Sequence, residues 1–330
     1  MNRGRVLFLR LNAVIGPLLS YQPDTIGGQA VVEGVLMRSP RRLSVAVRAP
    51  DGTIALQDRE FIPFTRRFKP LSWPILRGAA SLIESLVIGM QALNWSVSVQ
   101  EPKKTTGENA EFSKASNAKQ KLAMTLTLVV SFVLALGLFQ FLPYGSASFL
   151  LGGTKDHPSN PLFFNGTAGL VRISLLLLYM WGLSFMPDIA RLFQYHGAEH
   201  KSIFAYEKKA SLIVSEIAKQ SRFHPRCGTS FILIVALVCI LFFSFFDAAL
   251  RQFTGYSYPT FIHRFLFHLP LVPIVAGISF EFLKLSARYQ DSWWVKPLIA
   301  PGLWLQKITT REPDEKQIEV ALASVKAALA

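Results

Sequence analysis

The sequence predicts a mainly α-helical polytopic membrane protein with about four transmembrane helices, a small N-terminal β-hairpin unit and amphipathic interfacial helices. Three observations carry this. Four apolar stretches, roughly 123–142, 169–187, 230–250 and 266–283, each come near the roughly 20 residues that a bilayer-spanning helix needs. Hydrophobic residues make up 51% of the 330 and charged residues only 17%, which is more apolar than an ordinary soluble chain. Lys and Arg alternate in density from one connecting segment to the next, as they do in chains that cross a bilayer repeatedly.

Taken in order, residues 1–24 form an N-terminal segment. Arg3, Arg5 and Arg10 precede a short apolar patch broken by Asn12, Gly16 and Pro17. No small-residue cleavage site follows, so a secretory signal is not expected. Residues 25–70 read as a small β-rich cytoplasmic unit. Leu43-Ser44-Val45-Ala46-Val47-Arg48 alternates with a period of two, Pro50-Asp51-Gly52 signals a turn, and Thr53 to Leu56 begins a return strand. Before it lies the stretch from Gly27 to Pro40. Its glycines are not spaced as a phosphate loop. Either Glu33, Met37 and Arg38 face a site, or the stretch is a turn-rich connector. Residues 71–100 place Ile75, Leu76, Ala79, Leu82, Ile83, Leu86, Val87 and Met90 at helical spacing with Arg77 and Glu84 between them. That is an amphipathic helix, lying on the membrane surface or packed on the bundle. The charged stretch 101–122 reads as a polar linker.

Residues 123–310 form the transmembrane domain. Residues 1–122 hold 17 Lys and Arg, the segment 143–166 one, the 191–229 loop seven, 251–265 two, and 284–330 seven. The asymmetry puts both termini and the 191–229 loop on the cytoplasmic side of a bacterial-type cytoplasmic membrane. Arg172 starts the second span, where it can snorkel. Trp293, Trp294 and Trp304 suit a headgroup-level belt, and residues 311–330 a final helix. The net charge of +14 then fits contact with anionic lipid and gives no specific nucleic-acid site. Of the two cysteines, Cys239 sits in an apolar run as a small buried hydrophobe. That leaves Cys227 free as a ligand.

The chemistry concentrates between Tyr195 and Cys227. His196-Gly197-Ala198-Glu199-His200 matches the H-x-x-E-H pattern of inverted zinc sites. On a helix, residues four apart share a face, so both imidazoles can reach one ion. Glu199 is placed to take a proton from a water as a general base. His224 and Cys227 add a nitrogen and a thiolate, both of which zinc accepts. The topology brings these residues and Glu281, near the end of the fourth span, to one layer at the cytoplasmic face. His196 and His200 are the expected ligands, with Glu281 or His224 third and Cys227 fourth. The ion is zinc or another divalent transition metal. The plainer alternatives are a chance match, a turn capped at Thr229, and a Glu281 paired with Lys284 or Arg288. His157, His263 and His268 read as packing or interface residues.

At Gly27-Gly28-Gln29-Ala30-Val31-Val32-Glu33-Gly34-Val35-Leu36-Met37-Arg38, at Tyr195 to Lys201, and at His224-Pro225-Arg226-Cys227-Gly228-Thr229-Ser230, the chain resembles the YqhQ-like bacterial membrane proteins. The likeness covers roughly residues 25–310. It implies an integral membrane protein of a family of unknown function, described only as predicted metal-dependent enzymes, and it names no substrate. Three functions follow as expectations. One is a membrane-embedded hydrolase at the cytoplasmic face, acting on a peptide or lipid. Another is a non-enzymatic scaffold or assembly factor with a structural metal, docking a membrane or cytoplasmic protein. The third is a transporter, for which the spans offer few charged residues.

Overall fold

In the computed structural model, residues 26–101, 126–151 apart from 128 and 132, 161–289, and 292–330 are described. The N-terminal segment 1–24, most of the polar linker and His157 lie outside them. Strands β1 (Gly27–Val31), β2 (Gly34–Arg38), β3 (Arg42–Arg48) and β4 (Ile54–Glu60) form an antiparallel meander in that order. Then follow the helices α1 (Leu76–Gln100), α2 (Val129–Leu151), α3 (Pro161–Leu183), α4 (Pro187–Glu207), the short α5 (Val214–Ala218), α6 (Gly228–Thr254), α7 (Phe261–His268), α8 (Val272–Arg288), α9 (Lys296–Thr309) and α10 (Glu315–Leu329). The chain divides into two compact units. One takes in Met1–Gln100, Met180–Val238 and Pro270–Ala330, and the other Glu101–Tyr179 and Cys239–Leu269.

In the first unit the sheet is covered on both faces. The alternation of β3 suggested one solvated face, yet Leu43, Ser44, Val45, Ala46 and Val47 are all buried. Leu43, Val45 and Val47 join Val31 and Leu36 against Ile88 and Ala92 of α1. On the other face Val35, Met37 and Ala46 meet Tyr195 and Ala198 of α4, and Ile318, Ala321 and Val325 of α10. Small residues on that face let α10 come close, and Ser324 Oγ donates to the Ser44 carbonyl at 3.1 Å. A capping box at Asp314 and Gln317 starts α10, satisfying two of its free amides.

The 27–38 stretch is a β-hairpin rather than a turn-rich connector. Its glycines depress strand propensity. Its two-residue turn uses Glu33 at φ 53° instead of the usual Asn-Gly signal. The Glu33 carboxylate compensates for the left-handed backbone by accepting from Arg191 and from Tyr195 OH, the latter at 3.2 Å. Arg38 donates to Glu84 at 2.6 Å, and Glu84 also accepts from the Phe64 amide at 2.7 Å.

Among the described residues, five helical stretches are long and apolar enough to cross a membrane: Leu76–Gln100, Val129–Leu151, Leu162–Leu183, Gly228–Thr254 and Ile262–Ser286. The addition to the four expected is α1, whose interruptions by Arg77 and Glu84 had marked it as amphipathic. Both residues are buried and paired. Arg77 reaches Glu281 of α8 through Nε and Nη2, each at 2.5 Å. Glu281 therefore pairs across helices with Arg77. The close approach depends on Gly78, where a Cβ would lie 2.8 Å from Gly277 Cα.

The second unit holds a polar knot that sequence reading missed. Asp247 of α6 accepts from His268 Nε2 at 2.8 Å, Tyr258 OH at 2.8 Å, Asn165 Nδ2 at 3.0 Å and the Arg264 guanidinium. Arg264 also stacks 5.1 Å from the Tyr144 and Phe164 rings. A charge in an apolar span persists only when paired in this way. His268 is thus a hydrogen-bonding partner as well as a packing residue.

Ile318 is 2% exposed and sits where α10, the sheet and α4 meet. Replacing Ile318 by Ala should cost about 2–5 kcal/mol. A lowered thermal-unfolding midpoint of the detergent-purified protein would register it.

Candidate metal centre

Pro187 starts α4 at its first helical position, where a missing amide costs nothing. The helix then buries nearly every residue from Phe193 to Ala205. His196 and His200 lie one turn apart on one face, with ring centroids 4.4 Å apart. His196 Nδ1 lies 2.8 Å from the Thr309 carbonyl, and His200 Nδ1 lies 2.5 Å from the Arg222 carbonyl. A carbonyl oxygen only accepts, so each Nδ1 carries the hydrogen and each Nε2 is left bare. His196 Nε2 points at Cys227 Sγ, 3.1 Å away, and a His200 ring nitrogen lies within 4.8 Å of the same sulfur.

The donor atoms of His196, His200 and Cys227 all lie within 4.8 Å of one another. Around zinc, tetrahedral ligand atoms stand about 3.3–3.8 Å apart, so a small closure would complete coordination. Two imidazole nitrogens and one thiolate sulfur suit zinc chemically. Fixing each imidazole through a carbonyl on its far nitrogen is the usual outer support of a metal-binding histidine. These three residues therefore fit a divalent transition metal.

Distant chain builds the support. Gly197 has no room for a side chain, since a Cβ there would lie 2.1 Å from the Arg311 carbonyl. That contact lets the segment after α9 run along α4, with the Arg311 amide donating to the Phe193 carbonyl at 2.9 Å. Gln306 of α9 is wholly buried and clamps the loop before α6. It accepts from the His224 amide at 2.8 Å and donates to the His224 carbonyl at 2.7 Å. Cys227 directly precedes α6, and its sulfur accepts from the Thr229 amide at 3.4 Å. The sulfur thus occupies the capping role that sequence reading gave to Thr229.

Of the other expected ligands, His224 and Glu281 stand outside the three-residue group. His224 is buried, with Nε2 facing Glu207 at 3.3 Å and Nδ1 accepting from the Arg226 amide at 3.3 Å. Both of its nitrogens are therefore engaged. Burial pushes its pKa down to about 4, opposed by the charge of Glu199. Glu281 is held by Arg77. Burial likewise lowers the pKa of His200, with Cys227 acting against it.

Glu199 is nearly fully buried, with Oε2 3.9 Å from His196 Nε2. Burial raises its pKa, and His196 and His224 oppose the shift. Its side chain lies against β1. A Cβ on Gly28 would fall 2.7 Å from Glu199 Cγ and 2.8 Å from Oε1. Sequence reading found the glycines of β1 without their purpose. It missed Gln306 and the Thr309 and Arg222 carbonyls, for which no local pattern exists.

The family model for the protein of unknown function DUF1385 matches residues 73–330, and the chain belongs to that family. It is 35% identical over 314 residues to the uncharacterized protein YqhQ of Bacillus subtilis (strain 168), covering 92% of this chain and 91% of that one. No solved structure matches.

Protein purified in detergent should carry about one divalent transition-metal ion per chain. Cys227→Ala and His200→Ala should each weaken metal affinity by a factor of ten or more, read by elemental analysis after dialysis against a chelator. Gly197→Ala removes no donor but pushes the Thr309 carbonyl off His196, and a loss of about 10–100-fold is expected.

Proposed function

For this member of the family we propose an integral membrane, metal-dependent hydrolase whose centre is held by His196, His200 and Cys227 at the cytoplasmic face. The observation that carries it is the pair of Nδ1-to-carbonyl contacts, which turn both Nε2 atoms toward one sulfur. A divalent ion such as zinc supplies Lewis-acid polarisation and a nucleophile at neutral pH. Three protein donors leave one position of a four-coordinate site for water or substrate. Glu199, shielded from solvent and 3.9 Å from His196 Nε2, would take the proton that the attacking water loses and return it to the leaving group. His224 and Glu207 keep the loop rigid, and Gln306 keeps Cys227 in register.

Parity supports the placement. The sheet and α10 share one core, so the chain between them crosses the bilayer an even number of times. Among the described residues five helical stretches qualify, which favours one of them staying on the side of the sheet. That one is α1, which packs on the sheet through Ile88 and Ala92. Four crossings remain. The Lys and Arg surplus of residues 1–122 and of the C-terminal region supports a cytoplasmic location for that shared side.

The test is Glu199→Gln. It should keep the metal content of the wild type and lose at least about 100-fold of the hydrolysis of fluorogenic ester, amide and phosphodiester probes. Unchanged hydrolysis with metal retained would remove Glu199 from the reaction. A protein that binds metal and hydrolyses none of the probes would have a structural centre instead.

A further inference from the structure

The two edges of the sheet are unlike. Strand β4 ends in Gln57-Asp58-Arg59-Glu60, exposed and charged, the usual protection of an edge against stray pairing. Strand β1 reads Gly27-Gly28-Gln29-Ala30-Val31. It has no charge and no proline, and its first three residues are exposed. Its register with β2 pairs Val31 with Gly34 across the two-residue turn, and Gly28 with Met37. Bonded and non-bonded pairs alternate in an antiparallel ladder. From the turn outward, Gly28 and Ala30 therefore aim their N–H and C=O groups away from β2. Among the described residues no main-chain group bonds to them.

This open edge borders the candidate centre. Gly28 touches Glu199, whose Oε2 lies 3.9 Å from His196 Nε2. Gln29 points to the opposite face, where its amide rests on Gly89 of α1. The edge of β1 thus carries no side chains of its own at Gly27 and Gly28, and Gly28 lies against the group assigned to proton transfer.

We infer that β1 is the substrate-binding strand and that the substrate is a polypeptide segment in extended conformation, added as a fifth strand along the Gly27–Ala30 edge. This deepens the hydrolase reading and rests on it. An extended peptide supplies alternating donors and acceptors that match those of Gly28 and Ala30. A lipid acyl chain has none. The reaction is amide hydrolysis. The oxygen of a water bonds to the carbonyl carbon, the C–N bond breaks, and the water's proton passes through Glu199 to the leaving nitrogen.

The experiment uses the full chain in lipid nanodiscs, loaded with zinc. The probes are an internally quenched ten-residue peptide library and a fluorogenic phospholipid. Ala30→Pro removes an outward N–H while leaving the ladder to β2 intact. It should keep zinc content and unfolding temperature and lose about tenfold or more of kcat/KM on the peptides. A second measurement needs no variant. N-methylation of the best peptide at successive positions should reduce cleavage by about tenfold at alternate residues only, the period of a paired strand. Uniform N-methyl effects, phospholipid cleavage without peptide cleavage, or no peptide cleavage by zinc-loaded protein would overturn the inference. So would an Ala30→Pro variant with unchanged kinetics, the result expected if residues 1–25 of the same chain occupy that edge. Failure to hold zinc at all would instead bring down the metal reading beneath it.

Discussion

Two main-chain carbonyls, of Thr309 and Arg222, determine what the His196 and His200 side chains can do. Each removes one ring nitrogen from play and turns the other toward Cys227. Neither carbonyl belongs to the helix that carries the histidines. One ends α9 and the other lies in the loop before α6, so the geometry exists only when α4, α9 and that loop are packed together. Gly197 and Gln306 serve that packing. The glycine admits the chain after α9 against α4, and the buried amide ties the loop to α9 by two hydrogen bonds.

The same economy of buried polar groups recurs away from the centre. Arg77 and Glu281 meet through two contacts between α1 and α8, and Asp247 has four partners in the second unit. An ion taken out of water is tolerated only when its hydrogen-bonding capacity is filled. Glu199 departs from this pattern. It is buried beside two histidines and a glycine, with Oε2 3.9 Å from His196 Nε2. A carboxyl so placed is raised in pKa by desolvation, and such perturbation is characteristic of groups that exchange protons.

The sheet holds these parts together. Its inner strands are buried on both faces, so β1 is held rigidly although its own edge is open. α10 contributes packing, capping and hydrogen bonds to β3 and α4. It holds the face of the sheet against α4, which in turn sets the distance from Gly28 to Glu199.

The apolar spans, the helix at 71–100 and the strands 42–60 were legible in the sequence. Each announces itself by local period or by length, and local period is set by the backbone geometry of the element itself. The H-x-x-E-H pattern was legible for the same reason, since helical spacing alone brings residues 196 and 200 together. The strands from Gly27 to Arg38 were obscured by glycines, of which Gly28 lies against α4 and Gly34 against β3. The third member of the metal group was decided only in three dimensions. Sequence order ranked Glu281 and His224 ahead of Cys227, but Arg77 occupies the first and Glu207 with the Arg226 amide occupies the second. The chain by itself determined which residues were chemically able to bind or to transfer a proton. Only the tertiary structure decided which of them remain unengaged, because hydrogen-bond partners come from whichever segments packing brings near, and those contacts leave no mark in local sequence.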